Sequence, residues 1–96
     1  MDPASPDIGI SDVVVSKAGR DQGQWFYVIG MDEKFLFLVN GKDRTPDRPK
    51  RKKRKHVEKV LRSETRVAAK IRSGDKVLNG ELRRDLAFLA RETASE

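Results

Sequence analysis

The side chains with the clearest chemical capacity in this sequence are cations concentrated in its central third. Residues 41–72 hold fourteen basic and four acidic side chains, whereas the segments before and after carry small net negative charges. Six of these cations are consecutive, and others precede and follow them. Such a local excess of positive charge is suited to binding a polyanion through its phosphates. The candidate contact residues here are Lys42, Arg44, Arg48, Lys50, Arg51, Lys52, Lys53, Arg54, Lys55 and His56.

The same run of cations also has less specific explanations. A charge run is usually a solvated tail, and PKRKKRK in a nuclear protein is typical of a localisation signal. A membrane-surface segment would need a basic amphipathic helix with an exposed Trp or Phe beside the run, and the aromatic residues lie elsewhere. Because six adjacent cations repel one another, we expect about residues 42–56 to form an exposed basic arm that adds little to stability.

A second group of candidate contacts lies in the segment KAGRDQGQ, residues 17–24. Gly19 and Gly23 predict turns with positive φ angles, which are strained for other residues. Lys17 and Arg20 project from this segment, where they are placed to reach a phosphate backbone that the glycines allow to approach closely. The alternative is an ordinary turn in which Asp21 pairs with a neighbouring cation.

Three consecutive aromatic residues, Trp25, Phe26 and Tyr27, have the chemistry to stack on unpaired bases. Aromatic residues in a strand are more often part of the core, so we expect Trp25 and Phe26 there. For Tyr27, both a core position and an exposed stacking position remain open.

Nothing in the sequence predicts catalysis or a bound cofactor. The acidic residues are dispersed singly, and the glycines match neither a dinucleotide fingerprint nor a phosphate-binding loop. There is no Cys to act as a nucleophile or zinc ligand, and the single His56 follows six cations that disfavour a metal ion. We therefore expect no enzymatic activity, metal, cofactor or small-molecule substrate.

The composition predicts one small domain. Hydrophobic residues make up 36% and charged residues 38% of the 96-residue chain, so we expect a thin core. The Pro- and Asp-containing residues 1–7 predict a disordered tail. No apolar run is longer than the five residues of FLFLV, far fewer than the ~20 that cross a bilayer, and the first residues lack the pattern of a secretion signal. These features predict a soluble, cytoplasmic protein without membrane contact.

Three segments rich in β-branched and aromatic residues predict strands, namely residues 10–16, 25–30 and 34–40. The last two are joined by Met31-Asp32-Glu33, a linker of hairpin length. Both strands are apolar on both faces, which fits a small barrel whose interior takes one face while a helix or a returning segment covers the other.

The C-terminal part contains a clear helix pattern after an ambiguous segment. Residues 61–78 are expected to connect the predicted barrel to a C-terminal helix. Within them, Val67 and Ile71 fit a short helix or a strand equally well. Residues 79–93 predict an amphipathic helix packed on the sheet, with Asn79 as its N-cap and an apolar stripe formed by Leu82, Leu86 and Leu89.

The segment DVVVSKAGRDQG followed by WFYVIG resembles the KOW motif, a strand–loop–strand unit with a required glycine, which here corresponds to Gly23. The longer match through NGKDRTPDRPKRKKRKH is similar to small bacterial KOW-domain RNA-binding proteins that resemble a large-subunit ribosomal protein of archaea and eukaryotes, and LNGELRRDLAFL is similar to their helical end. The resemblance implies a mainly β, SH3-like barrel of four or five short strands over residues 8–60. It also implies RNA contacts through the basic run and through Lys17, Gly19, Arg20 and Gly23.

Charge and resemblance together predict a monomeric RNA-binding protein that contacts structured RNA, with ribosomal RNA or the ribosome as its partner. The alternative is a protein-interaction adaptor, because SH3-like barrels also bind peptides and a basic arm can dock on an acidic protein face.

Overall fold

The three strands predicted from the sequence are present in the structure, a computed structural model that describes residues 8–94. Within these residues the strands form an antiparallel sheet in the order β4-β3-β2-β1-β5, so the fold is mainly β. The tail predicted for residues 1–7 lies outside the described part of the chain. The elements in chain order are β1 (Asp12–Ser16), β2 (Trp25–Met31), β3 (Phe35–Val39), β4 (Lys50–Lys53), a 3₁₀ turn (Arg54–His56), β5 (Val57–Arg62), α1 (Arg66–Ser73) and α2 (Asn79–Ala94).

Both faces of the sheet are buried, which explains why β2 and β3 are apolar on both sides. The first face carries a cluster of buried residues formed by Ile8, Val14, Phe26, Val28, Leu36, Leu38 and Val57. The second face, called here the helix face, packs against α1 and α2 through Val13, Tyr27, Val39, Val67, Ala68, Leu82 and Leu86. Successive strand residues point to opposite faces, so neighbours such as Val13 and Val14 serve different clusters.

β5 was not predicted as a strand, and a β-bulge accounts for this. Its pairing with β1 joins Leu61 to Val13 and Lys59 to Val14, which leaves Val60 as the extra residue. Val60 and Leu61 consequently both pack on the helix face, although they are adjacent in sequence. The resulting apolar positions, Val57, Val60 and Leu61, have the i, i+3, i+4 spacing that is typical of a helix.

The alternative left open for Val67 and Ile71, a short helix or a strand, is resolved as a helix, because both residues lie in α1, which follows the end of β5. The Thr65 hydroxyl accepts a hydrogen bond from the Ala68 amide, and Gly74 ends the helix with a φ of +76°. α2 includes Asn79 as its first residue, so the prediction of Asn79 as N-cap is wrong. Glu81 instead accepts a bond from the Leu78 amide and forms a 2.7 Å ion pair with Lys70 of α1.

Tyr27 is fully buried, which contradicts the exposed stacking alternative and places the residue in the core together with Phe26. Its hydroxyl donates to the Asp85 carboxylate and lies 2.8 Å from the Ser63 hydroxyl. Burial, followed by the Asp85 carboxylate, raises the pKa of Tyr27 to about 12. This polar cluster joins β2 to α2 and to the segment between β5 and α1.

Within residues 8–94, neither helix combines the length and the apolar character needed to cross a membrane.

Candidate nucleic-acid interface

The β1–β2 loop, residues 17–24, folds tightly because its two glycines adopt the backbone conformation predicted for them. Gly19 has a φ of +87° and Gly23 a φ of +90°. The Gly23 amide donates to the Ser16 carbonyl at 2.8 Å, and the Gln24 amide donates to the Asp21 carbonyl at 2.9 Å. These bonds close the loop on the end of β1 and turn Asp21 inward, where only 8% of its surface is exposed.

Asp21 connects this loop to β4, and this connection is called here the Asp21–Lys52 lock. The Lys52 ammonium lies 2.7 Å from Oδ1 of Asp21 and donates to the Ala18 carbonyl at 2.6 Å. The Ser16 hydroxyl donates to the same Oδ1 at 2.7 Å, and Lys50 lies 3.3 Å from Oδ2. Lys52 is itself only 8% exposed, so this ion pair is buried and held by several hydrogen bonds.

The alternative interpretation of the loop was an ordinary turn in which Asp21 pairs with a neighbouring cation. Asp21 does pair with cations, but they are Lys50 and Lys52 of the basic run. Arg20 and Lys17 remain exposed; Lys17 lies 3.5 Å from Glu58, and Arg20 has no ion pair within residues 8–94. The loop therefore presents Arg20 to solvent and uses Asp21 to fix its own position.

The Asp21–Lys52 lock lowers the pKa of Asp21. Burial alone would raise the pKa of this carboxyl group, but the hydrogen bonds from Lys52 and Ser16, with Lys50 beside them, outweigh burial and lower the pKa to about 2. The ordinary value is 3.8. The lower pKa means that the folded protein favours the charged form of Asp21 more than the unfolded chain does. The negative charge of Asp21 therefore stabilises the fold above about pH 4.

We expect this stabilisation to disappear between pH 4 and pH 2. In urea denaturation, the free energy of unfolding of the wild-type protein should exceed that of Asp21→Asn by an amount that shrinks by about 2 kcal/mol between pH 5 and pH 2. The comparison with Asp21→Asn cancels the contributions of the other acidic groups. A difference that stays constant over this pH range would contradict the lock.

The expectation that residues 50–53 belong to an exposed arm is wrong, because these residues form the strand β4. Lys50 lies opposite Leu38 and Lys52 opposite Leu36, so both lysines extend from the face of the sheet that carries these buried leucines. Their stems follow this apolar surface while their ammonium groups meet Asp21. Alternation along the strand sends neighbouring cations to opposite faces, which relieves the repulsion that argued against packing.

The other cations of β4 and the 3₁₀ turn are directed outward. The guanidinium carbon of Arg51 lies 3.7 Å from the centroid of the Phe35 ring, a cation–π contact. Arg54 donates from Nε to the Asp32 carbonyl at 3.0 Å. Lys53 and Lys55 are exposed and make no ion pair within the described residues. His56 is half-buried, and its carbonyl accepts from the Lys17 amide at 2.8 Å.

The turn between β3 and β4 presents Lys42, Arg44 and Arg48, and Asn40 organises it. The Asn40 side-chain carbonyl accepts from the amides of Lys42 and Arg44 at 2.9 and 3.0 Å. Its amide group donates to Asp43 at 2.9 Å, and this bond lowers the pKa of Asp43. None of the three cations has an ion pair within residues 8–94.

The predicted contact residues therefore fall into two groups. Lys52, and in part Lys50, belong to the lock that fixes the loop against β4. The remaining cations lie on the loop, on the opposite side of β4, in the 3₁₀ turn and in the β3–β4 turn, with their charges exposed or half-exposed. The sequence interpretation missed Asp21 as the organising residue; the available signal was an acid placed between two glycines in a chain with an excess of cations.

Within the described part of the chain, no three His, Asp or Glu side chains come together as ligands for a metal ion. No family model matches the sequence, and no curated protein matches it.

Proposed function

We propose that the protein binds structured RNA, with ribosomal RNA as the partner, through phosphate contacts made by the β1–β2 loop and the residues around β4. The observation that carries this proposal is the Asp21–Lys52 lock. It joins the β1–β2 loop to β4, two segments that both carry cations, through residues that are 31 positions apart in sequence. Arg20 lies on the loop that the lock fixes, and Lys53 and Lys55 follow Lys52 in β4 and the 3₁₀ turn; all three are exposed, with their charges unpaired among the described residues. Unpaired surface cations are free to release the counterions of a polyanion on binding.

An SH3-like barrel is the fold that we propose for this sheet, and its strand order supports the proposal. β4 and β5 are the two edge strands, yet only the three-residue turn Arg54–His56 separates them in sequence. The edges of a flat five-stranded sheet would lie roughly 19 Å apart, whereas a 3₁₀ turn of this length rises only about 6 Å. The sheet therefore has to curl so that the end of β4 approaches the start of β5. This curling supports both the barrel and the resemblance to KOW-domain proteins.

We expect RNA affinity to fall steeply with salt and to depend on where the charges lie. Replacing Arg20, Lys53 and Lys55 together by Gln should weaken binding of a structured ribosomal RNA fragment by about 30- to 100-fold, and should reduce the slope of log affinity against log salt by about 2 to 3. The measurement is filter binding over about 50 to 200 mM salt.

The matched control removes the same number of charges elsewhere on the surface. Lys76, Arg84 and Arg91 are exposed and make no ion pair within the described residues, so replacing them by Gln gives an equal net charge. This control should change affinity by less than about 3-fold if position decides binding. Equal losses in the two triple variants would mean that only net charge matters. A wild-type slope near zero would reject RNA binding and favour the adaptor alternative, and co-sedimentation with ribosomal subunits at low salt tests the named partner.

A further inference from the structure

The single Trp of the chain lies at an open cleft beside the predicted contact surface. Trp25 is the first residue of β2 and is half-buried, since part of its side chain packs against the helix-face cluster. The cleft has a volume of about 420 Å³. It is lined by Gln24, Trp25, Asn40, Lys42, Arg83 and Leu86.

Three separate elements form this cleft. Trp25 comes from the start of β2, Asn40 and Lys42 from the turn after β3, and Arg83 and Leu86 from α2. Arg83 donates from its guanidinium to the Gly41 carbonyl at 2.6 Å, which ties the turn to the helix. Leu86 is buried and provides an apolar wall. The ring of Trp25 is thus positioned before any ligand arrives.

Among the described residues, the lining has the groups needed to hold a nucleotide and no carboxylate. An aromatic ring offers a face for base stacking, and the amides of Gln24 and Asn40 offer hydrogen-bond donors and acceptors. Lys42 and Arg83 supply positive charge at the same cleft, and Lys42 has no ion pair within residues 8–94. The cleft is open and shallow, so a base could reach the ring directly from solvent.

We propose that this cleft binds one unpaired nucleotide of the RNA, with the base stacked on Trp25 and its phosphate held by Lys42 and Arg83. The inference rests on the proposed RNA-binding function and goes beyond it, because it distinguishes single-stranded from paired RNA. Bases inside an A-form duplex are already stacked and are not accessible to a protein ring, so only an unpaired nucleotide can enter. The cation surface around β4 would then hold the backbone, and the cleft would select a loop, bulge or end.

The fluorescence of Trp25 provides a direct test, because no other Trp contributes to the signal. A short oligouridylate should quench the emission in proportion to binding, whereas a blunt RNA duplex should bind through the cations with little quenching. Lys42→Gln should weaken binding of the oligouridylate by about 5-fold, and should weaken binding of the duplex by less, about 2-fold, because only the single strand also uses the cleft. Arg84→Gln on the same helix does not line the cleft and serves as the matched control.

Trp25→Leu should reduce affinity for the oligouridylate by about 10-fold. If this variant fails to fold, the wild-type quenching and the Lys42→Gln comparison still decide the question. Binding of both RNAs without quenching, or equal quenching by the duplex, would overturn the nucleotide cleft and leave the proposed function intact. Failure of both RNAs to bind at low salt would overturn the proposed function itself, and the cleft proposal with it.

Discussion

Replacement of Gly41 by Ala is expected to destabilise the protein by about 3 to 5 kcal/mol, the largest effect of any single substitution considered. Two independent costs combine at this position. Gly41 has a φ of +76°, which is strained for a residue with a Cβ atom. A Cβ atom there would also lie 2.3 Å from the Asn79 carbonyl oxygen and 2.8 Å from Cβ of Leu82. Backbone atoms of α2 cannot yield as the end of a flexible side chain can.

Gly23→Ala is the matched control for this substitution. Its φ of +90° imposes a similar backbone strain, but no atom lies within 4 Å of the added Cβ. We therefore expect a cost of only about 1 to 2 kcal/mol in urea denaturation. Similar costs at the two glycines would show that α2 does not approach the β3–β4 turn as closely as described.

The second large effect is expected for Lys52→Met, which should lower the free energy of unfolding by about 3 kcal/mol. The substitution keeps an apolar stem of similar length but removes the ammonium group from the Asp21–Lys52 lock. Asp21 then stays buried with only Ser16 and the more distant Lys50 to compensate its charge. Chemical denaturation at pH 7 measures the loss.

Lys53→Met provides the comparison, because Lys53 is the next residue of β4 and is exposed. Its cost should stay within about 0.5 kcal/mol, as for other surface substitutions. For RNA binding we expect the opposite: once affinities are corrected for the folded fraction, Lys53→Met should lose more affinity than Lys52→Met. The reason is that Lys53 carries an exposed charge and Lys52 a buried one. Equal stability losses would place both lysines at the surface and remove the structural argument for the lock.

These contrasts change how the basic run is understood. The sequence alone predicts an exposed arm whose charges can all be removed without harming the fold. In the structure the run is divided, because β4 uses Lys52 to fix the loop and presents Arg51 and Lys53 on the other face. Experiments that neutralise all six cations at once would therefore combine a loss of stability with any loss of RNA contacts.

Local sequence patterns determined a large part of the fold. The β-branched and aromatic content of β1, β2 and β3 predicted these strands to within a few residues, because side chains on a pleated sheet favour such residues. The leucine spacing predicted α2, since residues three and four apart share one side of a helix. Gly19 and Gly23 predicted positive φ angles, because only a residue without Cβ adopts them at low cost.

The tertiary structure alone decided what the charged and irregular segments do. Cations give no strand signal, and β4 forms because β3 offers an unpaired edge and Asp21 offers a counter-charge from 31 residues away. β5 escaped prediction because its bulge breaks the alternation that marks a strand. The cleft at Trp25 brings together residues of β2, the β3–β4 turn and α2. A sequence pattern reports the local period of the backbone, whereas partners distant in sequence are set by how the sheet pairs and which faces it buries.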